Sequence, residues 1–211
     1  MATHSSRPGI PLRALAPNAV TALALCTGLS GAWFAMQGRW ENAVAAIVIA
    51  GVLDAMDGRI ARMLKGESRF GAELDSLSDV IAFGATPALI MYMWVMQDMP
   101  RFGWTISVFF VLCAALRLAR FNAQIDTDNQ PHKSAGFNTG VPSPPGAALA
   151  LLPMMIWFET GAEWVRDYRL LAPWLLLCAF LMVSNVATYS WSSIKIRRSV
   201  RFMALAAVSL F

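Results

Sequence analysis

Six apolar runs, each about as long as a membrane-spanning helix, follow one another along this 211-residue chain. They cover residues 19–36, 42–64, 75–97, 103–121, 141–158 and 170–190. A transmembrane helix needs about 20 predominantly apolar residues. Charged residues make up 14% of the chain, against about 25% in an average soluble domain. The pattern excludes an ordinary soluble domain. It predicts an all-α polytopic membrane protein, a bundle of six transmembrane helices forming one domain over residues 1–211.

Basic residues are distributed unevenly between the two sides of this bundle. With the N-terminus in the cytoplasm, thirteen Lys and Arg lie on the inner side and four on the outer side, as the positive-inside rule requires. The first apolar run, about 18 residues long, exceeds a signal-peptide core and is interpreted as an uncleaved span. The chain ends in about ten apolar residues, too few to cross a bilayer, which we interpret as a truncated seventh span.

A cluster of charged residues at 54–79 interrupts the apolar pattern. On a helix, Asp54 shares one face with Asp57, Gly58 and Ala61, which follow it by three, four and seven positions. Two carboxylates beside two very small residues predict an acidic wall next to an open slot. Charged side chains at such a depth are costly and indicate a functional site.

A second pair of carboxylates, Asp75 and Asp79, lies four residues apart on the next predicted helix. If the two helices pack side by side, four carboxylates converge and require cations. Oxygen ligands without His or Cys favour Mg²⁺, Mn²⁺ or Ca²⁺. We therefore predict a two-cation site of the kind that supports phosphoryl displacement, with Arg62 neutralising phosphate charge. The alternative is a set of helix-surface salt bridges from the first two aspartates to Arg62 or Lys65.

The spacing of the cluster resembles the signature of the CDP-alcohol phosphatidyltransferase family. All eight signature positions match: Asp54, Asp57, Gly58, Ala61, Arg62, Gly71, Asp75 and Asp79. The resemblance implies a six-helix membrane core, a cytoplasm-facing active site, a CDP-linked lipid donor and two divalent cations, Mg²⁺ or Mn²⁺. It also implies that the four aspartates bind metal and that Asp79 is the general base.

The same resemblance assigns residues to the nucleotide. The cytidine would lie against Gly58 and Ala61, with Arg62 facing the diphosphate. The predicted CDP-binding set is Asn18, Thr21, Asp54, Gly58, Ala61 and Arg62. For Asn18, an ordinary helix N-cap after Pro17 is an equally simple interpretation.

Three further motifs resemble the branch of the family whose acceptor is L-serine. They are PNAVT (17–21), RLARFN (117–122) and GFNTGVPSPP (136–145). Either Arg117 or Arg120 can bind a serine carboxylate bidentately, and Ser143 offers a polar contact at the cavity mouth. Positive-inside anchoring of the arginines and a proline-containing helix start at Ser143 are the simpler alternatives.

These observations predict transfer of a phosphatidyl group from CDP-diacylglycerol to L-serine, with direct displacement of CMP. Choline, inositol or glycerol 3-phosphate as acceptor is the nearest alternative. An ion or proton transporter and a structural scaffold are more distant ones, because outside residues 54–79 no apolar run has an Asp or Glu in its middle. The resemblance further implies a homodimer in the bacterial inner membrane. Membrane lipids are expected partners and nucleic acid is not.

Overall fold

The computed structural model describes residues 12–64, 68–125, 137–184 and 187–189. Within these ranges, seven α-helices form six long helical stretches, because α3 and α4 are continuous through a π-helical segment. The helices are α1 (Leu12–Met36), α2 (Trp40–Leu64), α3 (Arg69–Asp79), α4 (Thr86–Trp94), α5 (Gly103–Ile125), α6 (Ser143–Thr160) and α7 (Tyr168–Val183).

This arrangement confirms the prediction of an all-α membrane protein. By length and composition, three helices are suited to cross a membrane, namely Leu15–Met36, Arg69–Trp94 and Gly103–Ala123. Large apolar side chains such as Leu23 and Val52 are more than half exposed, which suits a lipid environment rather than water. Membrane crossing by α2, α6 and α7 stays a prediction, and the predicted seventh span lies outside the described residues.

Several helix boundaries differ from the prediction, and the largest differences are at the start of α1 and the end of α7. Helix α1 begins at Leu12, because the Leu and Ala residues before the apolar run are good helix formers. Asn18 therefore lies inside the helix, and its interpretation as an N-cap is wrong. Helix α7 ends at Val183 rather than at residue 190, since Ser184 is already in an extended conformation.

The third helical stretch contains a π-helical segment, Val80–Ala85, directly after α3. Close contacts hold this segment on both sides. A Cβ on Gly28 of α1 would lie 2.6 Å from the Cβ of Ala82, and one on Gly84 would lie 3.0 Å from the Cβ of Ala114 in α5. Glycine therefore allows both neighbouring helices to approach the wider turn, a feature frequent at functional sites.

Two short strands, which the prediction lacked, join the segment before α6 to the segment after α7. Strand β1 (Phe137–Thr139) pairs antiparallel with β2 (Ala187–Tyr189). The paired residues are Phe137 with Tyr189, Asn138 with Thr188 and Thr139 with Ala187. This pairing holds the two connections beside the carboxyl end of α5.

The helices alternate in direction, so the bundle has two chemically different ends. At the carboxylate end, defined by Asp54, Asp57, Asp75 and Asp79, the carboxyl ends of α2, α5 and α7 meet the amino ends of α3 and α6. At the aromatic end, defined by Trp94, Trp157 and Arg166, aromatic rings pack together. Between them lies an apolar core whose largest fully buried side chains include Phe83, Ile90, Met91 and Phe110.

Candidate active site

Three of the four predicted metal ligands converge in the structure. Asp54 and Asp57 lie near the carboxyl end of α2, and Asp75 lies on α3. Each offers a carboxylate oxygen, and these atoms all lie within 4.8 Å of one another. The convergence follows from the helical spacing of each pair and from the side-by-side packing that the sequence analysis assumed.

The fourth carboxylate, Asp79, ends α3 and lies beside this group. Its charge interacts with those of Asp54 and Asp75. Its Oδ1 atom is buried and has no hydrogen-bond partner. A buried carboxylate oxygen without a donor is costly unless a ligand or cation completes it, so Asp79 is arranged for an interaction that the protein alone does not supply.

Helix α1 supports the cluster from the other side. Thr21 is 5% exposed and donates a hydrogen bond of 2.6 Å to Oδ2 of Asp57, which is itself 4% exposed. Asn18 lies against the start of α3, where a Cβ on Gly71 would approach its Oδ1 to 2.9 Å. Ser68 caps α3 by accepting a bond of 3.0 Å from the Gly71 N–H.

The predicted nucleotide slot on α2 is open in the structure. A Cβ added to Gly58 would meet, among the described residues, a single neighbour within 4 Å, the Nη1 atom of Arg62 at 3.7 Å. Ala61 is half-buried and Arg62 is exposed. The Arg62 side chain therefore reaches back along the helix over Gly58, where it can meet a phosphate.

On the opposite wall, two residues predicted to bind the acceptor contact each other. Nη1 of Arg117 donates a hydrogen bond of 3.0 Å to Oγ of Ser143. Nε of Arg117 is buried without a hydrogen-bond partner, and its guanidinium charge interacts with Asp79. An unpaired arginine edge thus lies across from the unpaired oxygen of Asp79.

The third residue predicted to bind the acceptor, Arg120, lies elsewhere. Its Nη1 donates a bond of 3.1 Å to the carbonyl oxygen of Val183, at the carboxyl end of α7. The Val141 N–H donates to the neighbouring Leu181 carbonyl at 3.3 Å. Because cations are favoured at a helix carboxyl end, this contact connects Arg120 to the position of α7.

Sequence reasoning missed a polar contact between α3 and α5. The Asn122 amide donates to Oγ of Ser76 at 3.0 Å, next to Asp75. The signal available was an asparagine at the end of RLARFN, about five helical turns into an apolar helix. Its partner, 46 residues away, has no such signal, because Ser76 is an ordinary helix-surface residue in sequence terms.

The donor set fits divalent cations. Between described residues, the ion pair found within 4.0 Å is Arg166 with Glu163, far from the cluster. The predicted alternative of a salt bridge from Asp54 or Asp57 to Arg62 is therefore wrong at that distance, while Lys65 lies outside the described residues. Among the described residues, these carboxylates have no Lys or Arg nitrogen within 4.0 Å, and they form the oxygen-only set that Mg²⁺ and Mn²⁺ prefer.

Comparisons with known proteins find one matching family and several relatives. The family model described as CDP-alcohol phosphatidyltransferase matches residues 14–191. The chain is 34% identical to the CDP-diacylglycerol–serine O-phosphatidyltransferase of Mycobacterium tuberculosis over 204 residues, 97% of this chain and 71% of that protein. It is 33% identical to the enzyme of the same name from Helicobacter pylori over 201 residues, 93% and 81% of the two chains. It is 32% identical to the enzyme of that name from Methanocaldococcus jannaschii over 145 residues, which are 69% of this chain and 62% of that protein.

Proposed function

The chain belongs to the CDP-alcohol phosphatidyltransferase family, and on that premise we propose that it transfers the phosphatidyl group of CDP-diacylglycerol to L-serine. The serine hydroxyl oxygen forms a bond to the phosphatidyl phosphorus, and the bond from that phosphorus to the CMP oxygen breaks. The hydroxyl proton passes to a carboxylate. The products are phosphatidylserine and CMP.

The observation that carries this proposal is the unpaired edge of Arg117 lying across from the unpaired oxygen of Asp79. An acceptor placed between them needs a group that binds arginine and a hydroxyl that faces a base. L-serine has both, in its carboxylate and its side chain. The relatives from M. tuberculosis and H. pylori are both named as serine O-phosphatidyltransferases, which supports the same acceptor.

The acceptor wall suits a carboxylate in detail. Because Nη1 of Arg117 is bonded to Ser143, the Nε–H and the adjacent Nη2 form the edge that remains. That edge has the fork geometry which binds a carboxylate bidentately. Ser143 thus fixes the rotation of the guanidinium, and Arg117 binds the acceptor. Arg120 lies at α7 and supports this wall indirectly.

The carboxylate wall suits the reacting groups. Asp54, Asp57 and Asp75 would hold the divalent cations, which when bound neutralise phosphate charge and favour departure of CMP. Asp79, with its free buried oxygen, accepts the proton of the serine hydroxyl. Gly58 leaves room for the nucleotide, and Arg62 above it binds the diphosphate.

We also propose the orientation and assembly of the protein. The excess of inner-side Lys and Arg supports a bacterial inner-membrane location with the carboxylate end facing the cytoplasm, where CDP-linked lipid and serine can meet. The family resemblance supports a homodimer.

CMP release by the protein purified in detergent tests the reaction. The assay supplies CDP-diacylglycerol and Mn²⁺ or Mg²⁺, and compares L-serine with choline, inositol and glycerol 3-phosphate. We expect release with L-serine alone and its loss in Asp79→Asn. Asp98→Asn, at an exposed position just beyond the carboxyl end of α4, is the matched control and should keep full activity.

Each other result of that assay has a definite meaning. Release with a different acceptor would keep the phosphatidyl transfer but contradict the assignment of Arg117 and Ser143 to serine. Activity of Asp79→Asn equal to the unaltered protein would contradict the base assignment. No release with any acceptor, from folded protein, would contradict the transferase proposal itself.

A further inference from the structure

Thr21 of α1 makes hydrogen bonds to both helices that carry the carboxylates. Its hydroxyl donates to Oδ2 of Asp57 in α2 at 2.6 Å. Its carbonyl oxygen accepts a longer bond of 3.4 Å from Oγ of Ser78 in α3, which is buried and precedes Asp79. One residue thus connects α1 to Asp57 and to the neighbour of Asp79.

The hydroxyl of Thr21 has one proton and two acceptors within reach. The carbonyl oxygen of Pro17 lies at 3.1 Å, and Oδ2 of Asp57 lies at 2.6 Å. The shorter distance and the charged acceptor both favour the bond to Asp57. The carbonyl oxygen of Pro17 then lies beside the hydroxyl without receiving its proton.

The surroundings hold this bond in place. Both side chains are almost fully buried, so water does not replace a lost donor. Two turns along α1, Gly28 packs so closely on Ala82 that a Cβ there would come within 2.6 Å. The position of α1 relative to α2 and α3 is therefore fixed at two points along its length, at Thr21 and at Gly28.

From this geometry we infer that Thr21 is a positioning residue for Asp57, rather than the CDP-binding residue that the sequence predicted. A bond to Oδ2 fixes the rotation of the whole carboxylate, and so the direction of Oδ1 relative to Asp54 and Asp75. The inference rests on the proposed cation site, because its consequence is the affinity of that site. Loss of a side chain that hydrogen-bonds to a metal-binding carboxylate commonly weakens metal affinity by about 10–100-fold.

Three variants test this role by Mn²⁺ binding, measured from the loss of the free-Mn²⁺ electron paramagnetic resonance signal. Thr21→Val keeps the shape and removes the hydroxyl, and Thr21→Ser restores it. Thr27→Val is the matched control, because Thr27 makes the same kind of bond to a carbonyl four residues back on α1 but contacts no carboxylate. We expect Mn²⁺ affinity about tenfold weaker in Thr21→Val and near the unaltered value in the other two.

CMP release then separates positioning from nucleotide binding. In Thr21→Val the Mn²⁺ concentration for half-maximal activity should rise in parallel with the dissociation constant, while KM for CDP-diacylglycerol at saturating Mn²⁺ stays unchanged. Unchanged Mn²⁺ affinity in folded Thr21→Val would overturn the inference, and a raised KM for CDP-diacylglycerol would return Thr21 to the nucleotide. If Thr21→Val does not fold, Thr21→Ser with weakened Mn²⁺ affinity would also count against it.

The same experiment distinguishes failure of the proposed function. An unaltered protein that neither binds Mn²⁺ nor releases CMP would overturn the cation site and, with it, the role of Thr21. An unaltered protein that binds Mn²⁺, beside a Thr21→Val variant that binds it equally, overturns the role of Thr21 alone.

Discussion

The two ends of the helix bundle treat their charged groups in opposite ways. At the aromatic end, Arg166 lies 5.1 Å from the ring centroid of Trp157 and 5.9 Å from that of Trp94. Glu163 pairs with Arg166 at 3.9 Å and accepts a bond of 3.3 Å from the Trp157 indole N–H. At this end each of these charges has a protein partner.

At the carboxylate end, the described residues include charged groups with buried polar atoms that have no hydrogen-bond partner. Oδ1 of Asp79 and Nε of Arg117 are buried and unbonded, and three further carboxylates converge nearby. The aromatic end has one unbonded buried atom too, the indole nitrogen of Trp94, but that group is neutral and costs less to bury. This difference fits the proposed division between a stabilising aromatic end and a ligand-binding carboxylate end, since local rules are often broken at functional sites.

The largest effect expected from this difference is a separation of activity from stability at Asp79. Asp79→Asn removes the base, so CMP release should fall by about 10²–10⁴-fold. It also removes one of several like charges, so the thermal unfolding temperature without metal should stay the same or rise. Differential scanning fluorimetry beside the CMP assay measures both, and a variant that loses stability together with activity would show that Asp79 is structural.

A smaller effect is expected on the acceptor wall, where two arginines one turn apart make different contacts. Arg117→Lys keeps the charge but loses the two parallel N–H donors that can bind a carboxylate. KM for L-serine should therefore rise about 10–100-fold, as expected for the loss of a charged hydrogen bond. Arg120→Lys is the matched control and should change this KM little, because Arg120 faces the α7 carbonyl. The reverse ranking of the two variants would place the serine carboxylate at Arg120.

The different contacts of Arg117 and Arg120 could not be predicted from the sequence. The apolar runs predicted the six helical stretches, because helix formation depends on local sequence. The helical spacing of the aspartates predicted that Asp54, Asp57 and Asp75 converge, because that requires only two neighbouring helices. Arg117 and Arg120 could not be told apart, since the distinction depends on where α6 begins and where α7 ends. That is set by packing and by the β1–β2 pairing.

The π-helical segment and the role of Thr21 were beyond prediction for the same reason. A π turn at Val80–Ala85 depends on the close approach of α1 and α5 through Gly28 and Gly84, which no local propensity specifies. The bond from Thr21 to Asp57 joins residues 36 positions apart. In the sequence Thr21 is one of two threonines in the first apolar run, and its motif pointed to the nucleotide.

Two glycines of α2, Gly58 and Gly51, allow the proposed nucleotide slot to be compared with an ordinary packing position in the same helix. Gly58→Ala fills the open slot, so KM for CDP-diacylglycerol should rise about tenfold, from an over-packing cost near 1–3 kcal/mol. Gly51→Ala, whose Cβ would meet Phe83 at an ordinary 3.8 Å, should leave KM unchanged. Both should raise thermal stability slightly, by up to about 1 kcal/mol, because alanine is the better helix former. Equal KM values in the two variants would contradict a nucleotide at Gly58.

The smallest effect is expected at the aromatic end, and it should be one of stability alone. Arg166→Met removes the stacking on Trp94 and Trp157, which is worth about 1 kcal/mol at a partly exposed site, so the unfolding temperature should fall by a few degrees. KM for both substrates and the rate of CMP release should not change, because the carboxylate end lies at the other end of the helices. Arg101→Met removes the same charge from an exposed position on the same side of the bundle and controls for net charge. A fall in CMP release in Arg166→Met, with Arg101→Met unaffected, would mean that the two ends are coupled through α4 and α6, and that the division between a stabilising end and a ligand-binding end is incomplete.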